Sequence, residues 1–427
     1  MNSFFTKYKK GIGYFFCFLF ILVTLPSLLQ RHHELYNLEP YPDGLLYALS
    51  ARNLVLHGEL SLVYAGSQIQ FWVPPLYSLS LSLGYLISQK VVAFFLVNIL
   101  LGVGSCLLLW HTILNSTKNH LIATIALFLY LSHGYILWLP TLPMSENASI
   151  FCMLLALYGL SFAKPTYQSL LITLFGVIGI LATRFSLVLP ASALFIWWTS
   201  RVIQSQPKRI LSILFSVFFT FCALFFLYLS KIHQNPIAIA QSVAAQFLNS
   251  NGYYSSTFTT VNSTFYMRTL FGFKTQFLWQ YFPLTSGVLT TYVLIATGVT
   301  LYYTRQKSQI MWLIIVAAFH IPLLLIFYVA DARYIITILP IIVILGAIAA
   351  NFLQTRYPLS LKKIVLVILF LSCAQLYSQY PFIRKILSAN TLGTTHAWQY
   401  EAVLNFNTFA QNLLTLFPSF GLIFYQC

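Results

Sequence analysis

The stretch VVAFFLVNILLGVGSCLLLWHTI, residues 91–113, contains no Asp, Glu, Lys or Arg and decides the fold of this 427-residue chain. An apolar run of this length crosses the roughly 30 Å hydrocarbon core of a bilayer as one α-helix. The whole chain has the same character, because 59% of its residues are hydrophobic and 7% are charged, against roughly 25% charged in a soluble domain. The sequence therefore predicts an all-α polytopic membrane protein.

Ten further apolar runs raise the prediction to about eleven transmembrane helices. They lie at about 11–29, 120–139, 144–163, 167–184, 186–200, 210–229, 285–303, 309–328, 334–353 and 363–380. We expect a transmembrane domain over 1–380 with external loops at 30–90 and 230–284. The remainder, 381–427, is predicted to be a short external tail.

The charges predict the orientation of these helices. Thirteen cations fall in short segments that would all lie on one face, and all seven acids fall in segments on the other. Because cytoplasmic loops are rich in Lys and Arg, the basic face is predicted to be cytoplasmic. The N-terminus would then be cytoplasmic and the C-terminus periplasmic. The net charge of +16 is scattered over membrane boundaries and forms no stripe, so we expect no nucleic-acid partner.

The loop over 30–90 has the highest density of candidate functional residues. It contains the turn-rich stretch Glu39-Pro-Tyr-Pro-Asp43-Gly44, followed by apolar residues at helical spacing up to His57. We expect an interfacial helix over residues 44–57 that ends at Gly58, with Tyr47 one turn after Asp43 on the same face. Asp43 would either cap this helix or act as a general base at the mouth of a membrane cavity.

A second acid, Glu146, stands at the external start of the fourth predicted span, after Pro143-Met-Ser145. It too could be a helix cap, or it could share a site with Asp43. Five of the six cysteines lie in apolar runs and are expected to be buried hydrophobes. The polar segment from Asn249 to Thr264 shows no helical periodicity, and is either a substrate-gating loop or a plain linker.

These motifs resemble the GT-C superfamily of integral-membrane glycosyltransferases, in particular the bacterial relatives of protein O-mannosyltransferases and of the lipid A aminoarabinose transferase. The resemblance covers about residues 1–350 in order and spacing. The matching motifs are Asp43-Gly44-Leu-Leu-Tyr47, Ala51-Arg52-Asn53-Leu54, His57-Gly58, Pro74-Pro75-Leu76-Tyr77, Ser145-Glu146, Thr183-Arg184 and Arg333-Tyr334 followed by Pro340. One departure is Gly44, which stands where relatives have a second acid; Glu39 would have to replace that carboxylate.

The resemblance implies a GT-C-like helical bundle with amphipathic interfacial helices in its first external loop. It also implies inverting transfer of a sugar from a polyprenyl-phosphate donor, on the outer face of the bacterial inner membrane, to a lipid, glycan or protein acceptor. Asp43 and Glu146 would be the catalytic carboxylates, Arg184 and Arg333 would bind the donor phosphate, and other side chains would bind substrate: Glu39, Tyr47, Asn53 and Tyr77.

Several alternatives stay open at the level of sequence. Arg184 could instead snorkel to the interface, and Arg333 could pair with Asp331. Carboxylate oxygens would suit a divalent metal ion, and relatives differ in metal use. The rival classes are a secondary transporter, an oligosaccharide polymerase or ligase, and an inactive GT-C relative. A transporter would be expected to carry ionisable groups near the membrane midplane, and this chain has no acid there.

Overall fold

The computed structural model describes a helical bundle over most of the first half of the chain and part of the second. The described residues are 11–31, 42–60, 62–64, 67–69, 74–90, 92–141, 143–205, 256–271, 307–327 and 332–356, with isolated positions near 215–219, 297–302 and 366–373. The helical, polytopic class predicted from the sequence is confirmed. The predicted spans over 210–229, 285–303 and 363–380 and the tail from 381 lie largely or wholly outside the described residues.

Among the described residues, the α-helices follow the predicted apolar runs closely. In chain order they are α1 (Gly11–Arg31), α2 (Pro42–His57), α3 (Leu76–Ser88), α4 (Val92–Thr117), α5 (His120–Leu131), α6 (Gly134–Trp138), α7 (Ser145–Leu160), α8 (Tyr167–Thr183), α9 (Val188–Ser205), α10 (Thr259–Phe271), α11 (Lys307–Ala318), α12 (Ile321–Ile326), α13 (Ala332–Ile335) and α14 (Leu339–Arg356). Short 3₁₀ turns cover Leu139–Thr141, Phe185–Leu187, Ser256–Phe258 and Ile336–Ile338.

Three helical stretches in the described part of the chain are long and apolar enough to cross a membrane. They are Val92–Thr117, Ser308–Ile326 and Ile336–Arg356. The predicted span over 120–139 is divided into α5 and α6 around Ser132 and His133.

The segment predicted to be the first external loop contains the expected helix, α2, together with α3 and a small hairpin. Helix α2 ends at His57, and Gly58 follows with a left-handed φ of 74° while its N–H bonds to the Leu54 carbonyl. Asp43 is the second residue of α2, which begins at Pro42, so it is not the residue that precedes the helix. Strands β1 (Leu62–Tyr64) and β2 (Ser67–Ile69) pair antiparallel, a local exception to the helical class.

The core is built around the antiparallel pair α7 and α8. Gly176 on α8 faces Ala156 on α7 so closely that a Cβ on Gly176 would lie 2.8 Å from the Ala156 Cα. Trp198 on α9 is fully buried and donates from its indole N–H to the Leu170 carbonyl at 2.9 Å. Helix α4 contacts both α1 and α7, which makes it the central helix of this part of the bundle.

The two ends of the bundle differ in chemistry. At one end, amide side chains join α4, α5, α7, α11 and α14. These hydrogen bonds run from Asn115 Nδ2 to Ser161 Oγ (3.0 Å), from Asn119 Nδ2 to Gln354 Oε1 (3.1 Å) and from Gln309 Nε2 to Ser116 Oγ (2.8 Å). This end carries exposed cations predicted to share a face: Lys118, Lys164 and Arg356. The start of α7 and the end of α8 lie at the opposite end.

Two smaller predictions need correction. Cys17, Cys106 and Cys152 are buried as expected, but Cys373 is exposed, because an apolar span also has a face that does not pack against other helices. The polar segment ending at Thr264 was expected to lack helix, yet α10 begins at Thr259. Its Ser and Thr hydroxyls donate back to a carbonyl of the same helix, which satisfies them within helical geometry.

The contact between α7 and α8 predicts an effect of Gly176→Ala on stability. The added methyl group collides with backbone, and overpacking of this kind costs about 1–3 kcal/mol. We expect a lower thermal unfolding midpoint in detergent, whereas Gly11→Ala, with nothing within 4 Å of its Cβ position, should leave the midpoint unchanged or raise it. Equal midpoints for the two variants would contradict the close packing of these helices.

Candidate active site

A buried ion pair joins the start of α7 to the residue that follows α8. Glu146 Oε1 lies 2.5 Å from Arg184 Nη1, and the two side chains are 1% and 12% exposed. Met144 precedes α7 and makes no side-chain cap, so Glu146 is the second residue of the helix and not its cap. Arg184 likewise turns into the protein and does not snorkel. A carboxylate in the first turn of α7 is also favoured by the helix dipole.

The second oxygen of Glu146 is available for a ligand. Glu146 Oε2 is buried and has no hydrogen-bond partner in the part of the chain that the structure describes. Leaving a buried acceptor unsatisfied is unfavourable, and more so for a charged group. A hydroxyl group of a bound molecule could satisfy this oxygen without disturbing the contact to Arg184.

Arg333 and Arg184 both contact the ring of Tyr334. The Arg333 Cζ lies 4.9 Å and the Arg184 Cζ 5.0 Å from the ring centroid, within the range of cation–π attraction. Arg333 also donates from Nη2 to the Tyr334 hydroxyl at 2.9 Å and is 8% exposed. Two guanidiniums therefore share one aromatic ring, and guanidinium groups suit the binding of an anion such as a phosphate.

Two tyrosines attach the first external loop to this cluster. Tyr47 on α2 donates to Ser145 Oγ at 3.1 Å, next to Glu146. The Tyr47 ring packs edge to face on Tyr77 of α3, with centroids 5.0 Å apart. Tyr77 is fully buried and donates to Asn98 Oδ1 on α4 at 2.8 Å. Three helices are thereby held at the start of α7.

A hydroxyl pair supports the ion pair from one turn deeper in the bundle. Ser149 Oγ lies 3.1 Å from Thr183 Oγ1, and it also donates to the Ser145 carbonyl at 2.9 Å. Both residues are fully buried. This contact fixes the register between α7 and α8 next to Glu146 and Arg184.

The structure thus brings together five of the predicted residues: Glu146, Arg184, Arg333, Tyr47 and Tyr77. Asp43 lies on α2 one turn before Tyr47, while the Asp43 side chain, Glu39 and Asp331 are outside the described part. Asn53 is buried at 2% exposure on α2, and its role in binding stays a prediction. Tyr334, Asn98 and Ser149 were given no role from the sequence; only Tyr334 had a signal, as the partner of Arg333 in the Arg-Tyr motif.

Metal binding has no support from the described side chains, among which no group of three or more His, Cys, Asp or Glu comes together. The Asp43 carboxylate lies outside them. The divalent ion stays a prediction.

Fold and site together define a polytopic helical membrane protein with a buried cluster of charged side chains at one end of the bundle. The fold is that of ArnT: the crystal structure of ArnT from Cupriavidus metallidurans bound to undecaprenyl phosphate matches with a TM-score of 0.58 and 14% identity, over 90% of this chain and 67% of that one. The GT-C fold predicted from the resemblance is confirmed. The apo ArnT structure matches with a TM-score of 0.49 and 15% identity over the same shares.

Neither a protein-family model nor a curated protein matches the sequence. The relation to ArnT is therefore one of fold, and the chain spans about two thirds of the ArnT length.

The ion pair predicts strong coupling between Glu146 and Arg184. Glu146→Gln leaves a buried guanidinium without its carboxylate, and removal of one partner of a buried pair costs roughly 3–5 kcal/mol. The double variant Glu146→Gln/Arg184→Gln should recover part of that loss in thermal unfolding. Additive losses in this double-mutant cycle would show that the two side chains do not interact.

Proposed function

We propose that the protein is a membrane glycosyltransferase that takes its sugar from a polyprenyl-phosphate carrier. The observation that carries this proposal is the placement of Arg184 and Arg333 on one tyrosine ring, with Glu146 paired to Arg184. This cluster lies in a chain with the fold of ArnT, which has been crystallised with undecaprenyl phosphate. The fold suggests the kind of donor, and two guanidiniums on one ring would suit a lipid phosphate.

The two arginines would act on the leaving group. When the bond between the anomeric carbon and the phosphate oxygen breaks, the electron pair stays with the phosphate and its negative charge grows. Cations placed at that oxygen bind the transition state better than the ground state, and this difference accelerates the reaction. Arg184 has a further advantage, since its contact with Glu146 holds the guanidinium in place before the donor binds.

Asp43 is our candidate for the general base. The acceptor hydroxyl oxygen bonds to the anomeric carbon as the phosphate leaves from the opposite side, which inverts the configuration, and its proton passes to the base. Asp43 belongs to α2, the helix that Tyr47 anchors to Ser145 beside Glu146, and this supports the choice. Glu146 is a weaker candidate for the base, since one of its oxygens is already held by Arg184. Its other oxygen would orient the acceptor hydroxyl.

The remaining predicted residues would complete the substrate site. Glu39, Tyr47, Asn53 and Tyr77 belong to the first external loop and would contact sugar or acceptor, which would be a lipid, a glycan or a protein. With the basic end of the bundle in the cytoplasm, the reaction would take place on the periplasmic face of the inner membrane. A divalent ion held by Asp43 and Glu146 would lower the charge of the phosphate.

The proposal is tested by sugar transfer in nanodiscs. The purified protein is given a radiolabelled polyprenyl-phosphate sugar and membrane extract, and labelled acceptor is separated from donor. Transfer supports the proposal. If no transfer occurs while a solute crosses sealed vesicles containing the protein, the chain is a transporter and the proposal fails.

Asp43→Asn is expected to reduce kcat by roughly 10²–10⁴-fold, the usual contribution of a general base. The amide keeps the shape of the side chain but takes up no proton, so affinity for undecaprenyl phosphate should change little. Transfer kinetics and lipid binding measured on the same preparation check both parts. Unchanged kcat would remove Asp43 from the chemistry.

Arg333→Ala is expected to weaken binding of undecaprenyl phosphate by roughly ten- to a hundredfold, because a hydrogen bond to a charged group contributes about 1.5–3 kcal/mol. Arg184→Ala should also raise the donor KM or lower kcat. Arg356→Ala is the matched control, since Arg356 is exposed at the far end of the bundle. Equal affinity in Arg333→Ala and Arg356→Ala would exclude Arg333 from the phosphate site.

A further inference from the structure

A single amide from the second external loop holds the end of α12. Asn262 on α10 is 2% exposed, and its Nδ2 lies 3.0 Å from both the Leu324 and Leu325 carbonyls. The Phe327 carbonyl is a third acceptor, at 2.5 Å. The last carbonyls of a helix have no partner within the helix, so Asn262 supplies from outside the donors that the end of α12 needs.

The held segment leads directly to the arginine cluster. Phe327, whose carbonyl faces Asn262, packs its ring edge to face on Tyr334 with centroids 5.2 Å apart. Tyr334 is the ring on which both guanidiniums lie. A continuous series of contacts therefore runs from α10 through Phe327 to Tyr334, Arg333 and Arg184.

We propose that Asn262 is a positioning residue for the phosphate-binding arginines, acting through Phe327 and Tyr334. This inference rests on the proposed function and gives α10 a role within it. Asn262 would not touch the donor; it fixes the backbone at Phe327, which fixes the surface against which Tyr334 packs. The polar segment ending at Thr264 thereby acquires a function other than the gate or linker considered from its sequence.

Position 262 requires an uncharged hydrogen-bond donor on a short side chain. The carbonyls at the end of α12 carry the negative end of the helix dipole, so a carboxylate in the same place would be repelled. Asn262→Asp keeps the size of the side chain and replaces its two N–H donors with an acceptor. This substitution therefore tests the hydrogen bonds of Asn262 separately from the packing of its side chain.

Asn262→Asp is tested with Asn262→Ala as a second variant and Thr264→Ala as the control, because the exposed Thr264 hydroxyl donates to the Thr260 carbonyl of its own helix. We expect both Asn262 variants to raise the donor KM and to weaken undecaprenyl phosphate binding about five- to tenfold, the equivalent of one or two hydrogen bonds. The acceptor KM should stay unchanged. Amide hydrogen exchange in peptides containing Tyr334 should become faster.

The outcomes separate this inference from the proposed function. If the wild-type protein binds undecaprenyl phosphate and the Asn262 variants bind it equally well, with unchanged exchange near Tyr334, the inference is overturned. Lower thermal stability without any change in donor KM or lipid affinity would also overturn it, since Asn262 would then be structural only. If the wild-type protein neither binds the lipid nor transfers sugar, the proposed function itself fails.

Discussion

The ion pair between Glu146 and Arg184 is the contact on which the rest of the site depends. It connects two helix ends that are adjacent only because α7 and α8 pack antiparallel at van der Waals distance, with Gly176 against Ala156. A buried charge without its partner is strongly unfavourable. The ion pair therefore stabilises this one register of α7 and α8 over others. Ser149 and Thr183 add a neutral hydrogen bond to the same register one turn deeper.

A second guanidinium lies close to this pair. Glu146 contacts Arg184, and Arg333 lies against the same Tyr334 ring as Arg184 does. The face of an aromatic ring attracts cations, so Tyr334 helps to keep the two guanidiniums together. A phosphate bound between them would gain charge-assisted hydrogen bonds from both.

Much of the fold and part of the candidate site could be predicted from the sequence, because helix ends and apolar runs leave local signals. Several helices followed from apolar runs, and Glu146, Arg184 and Arg333 were singled out by short motifs that resemble the GT-C superfamily. The pairing of Glu146 with Arg184, in place of a helix cap, could not, since it depends on which helices become neighbours. Asn98 and Asn262 are single amides in unremarkable surroundings, and only the packed structure reveals what they bond.

The end of α12 bears on why a residue of α10 would matter to a site built by the bundle. The helix ends at Ile326, and its last carbonyls need hydrogen-bond donors from outside the helix. Unsatisfied carbonyls are strongly unfavourable where water is scarce, and Asn262 supplies donors from α10. Because Phe327 follows α12 and packs on Tyr334, the geometry of the arginines would depend on these hydrogen bonds as well as on the contact between Glu146 and Arg184.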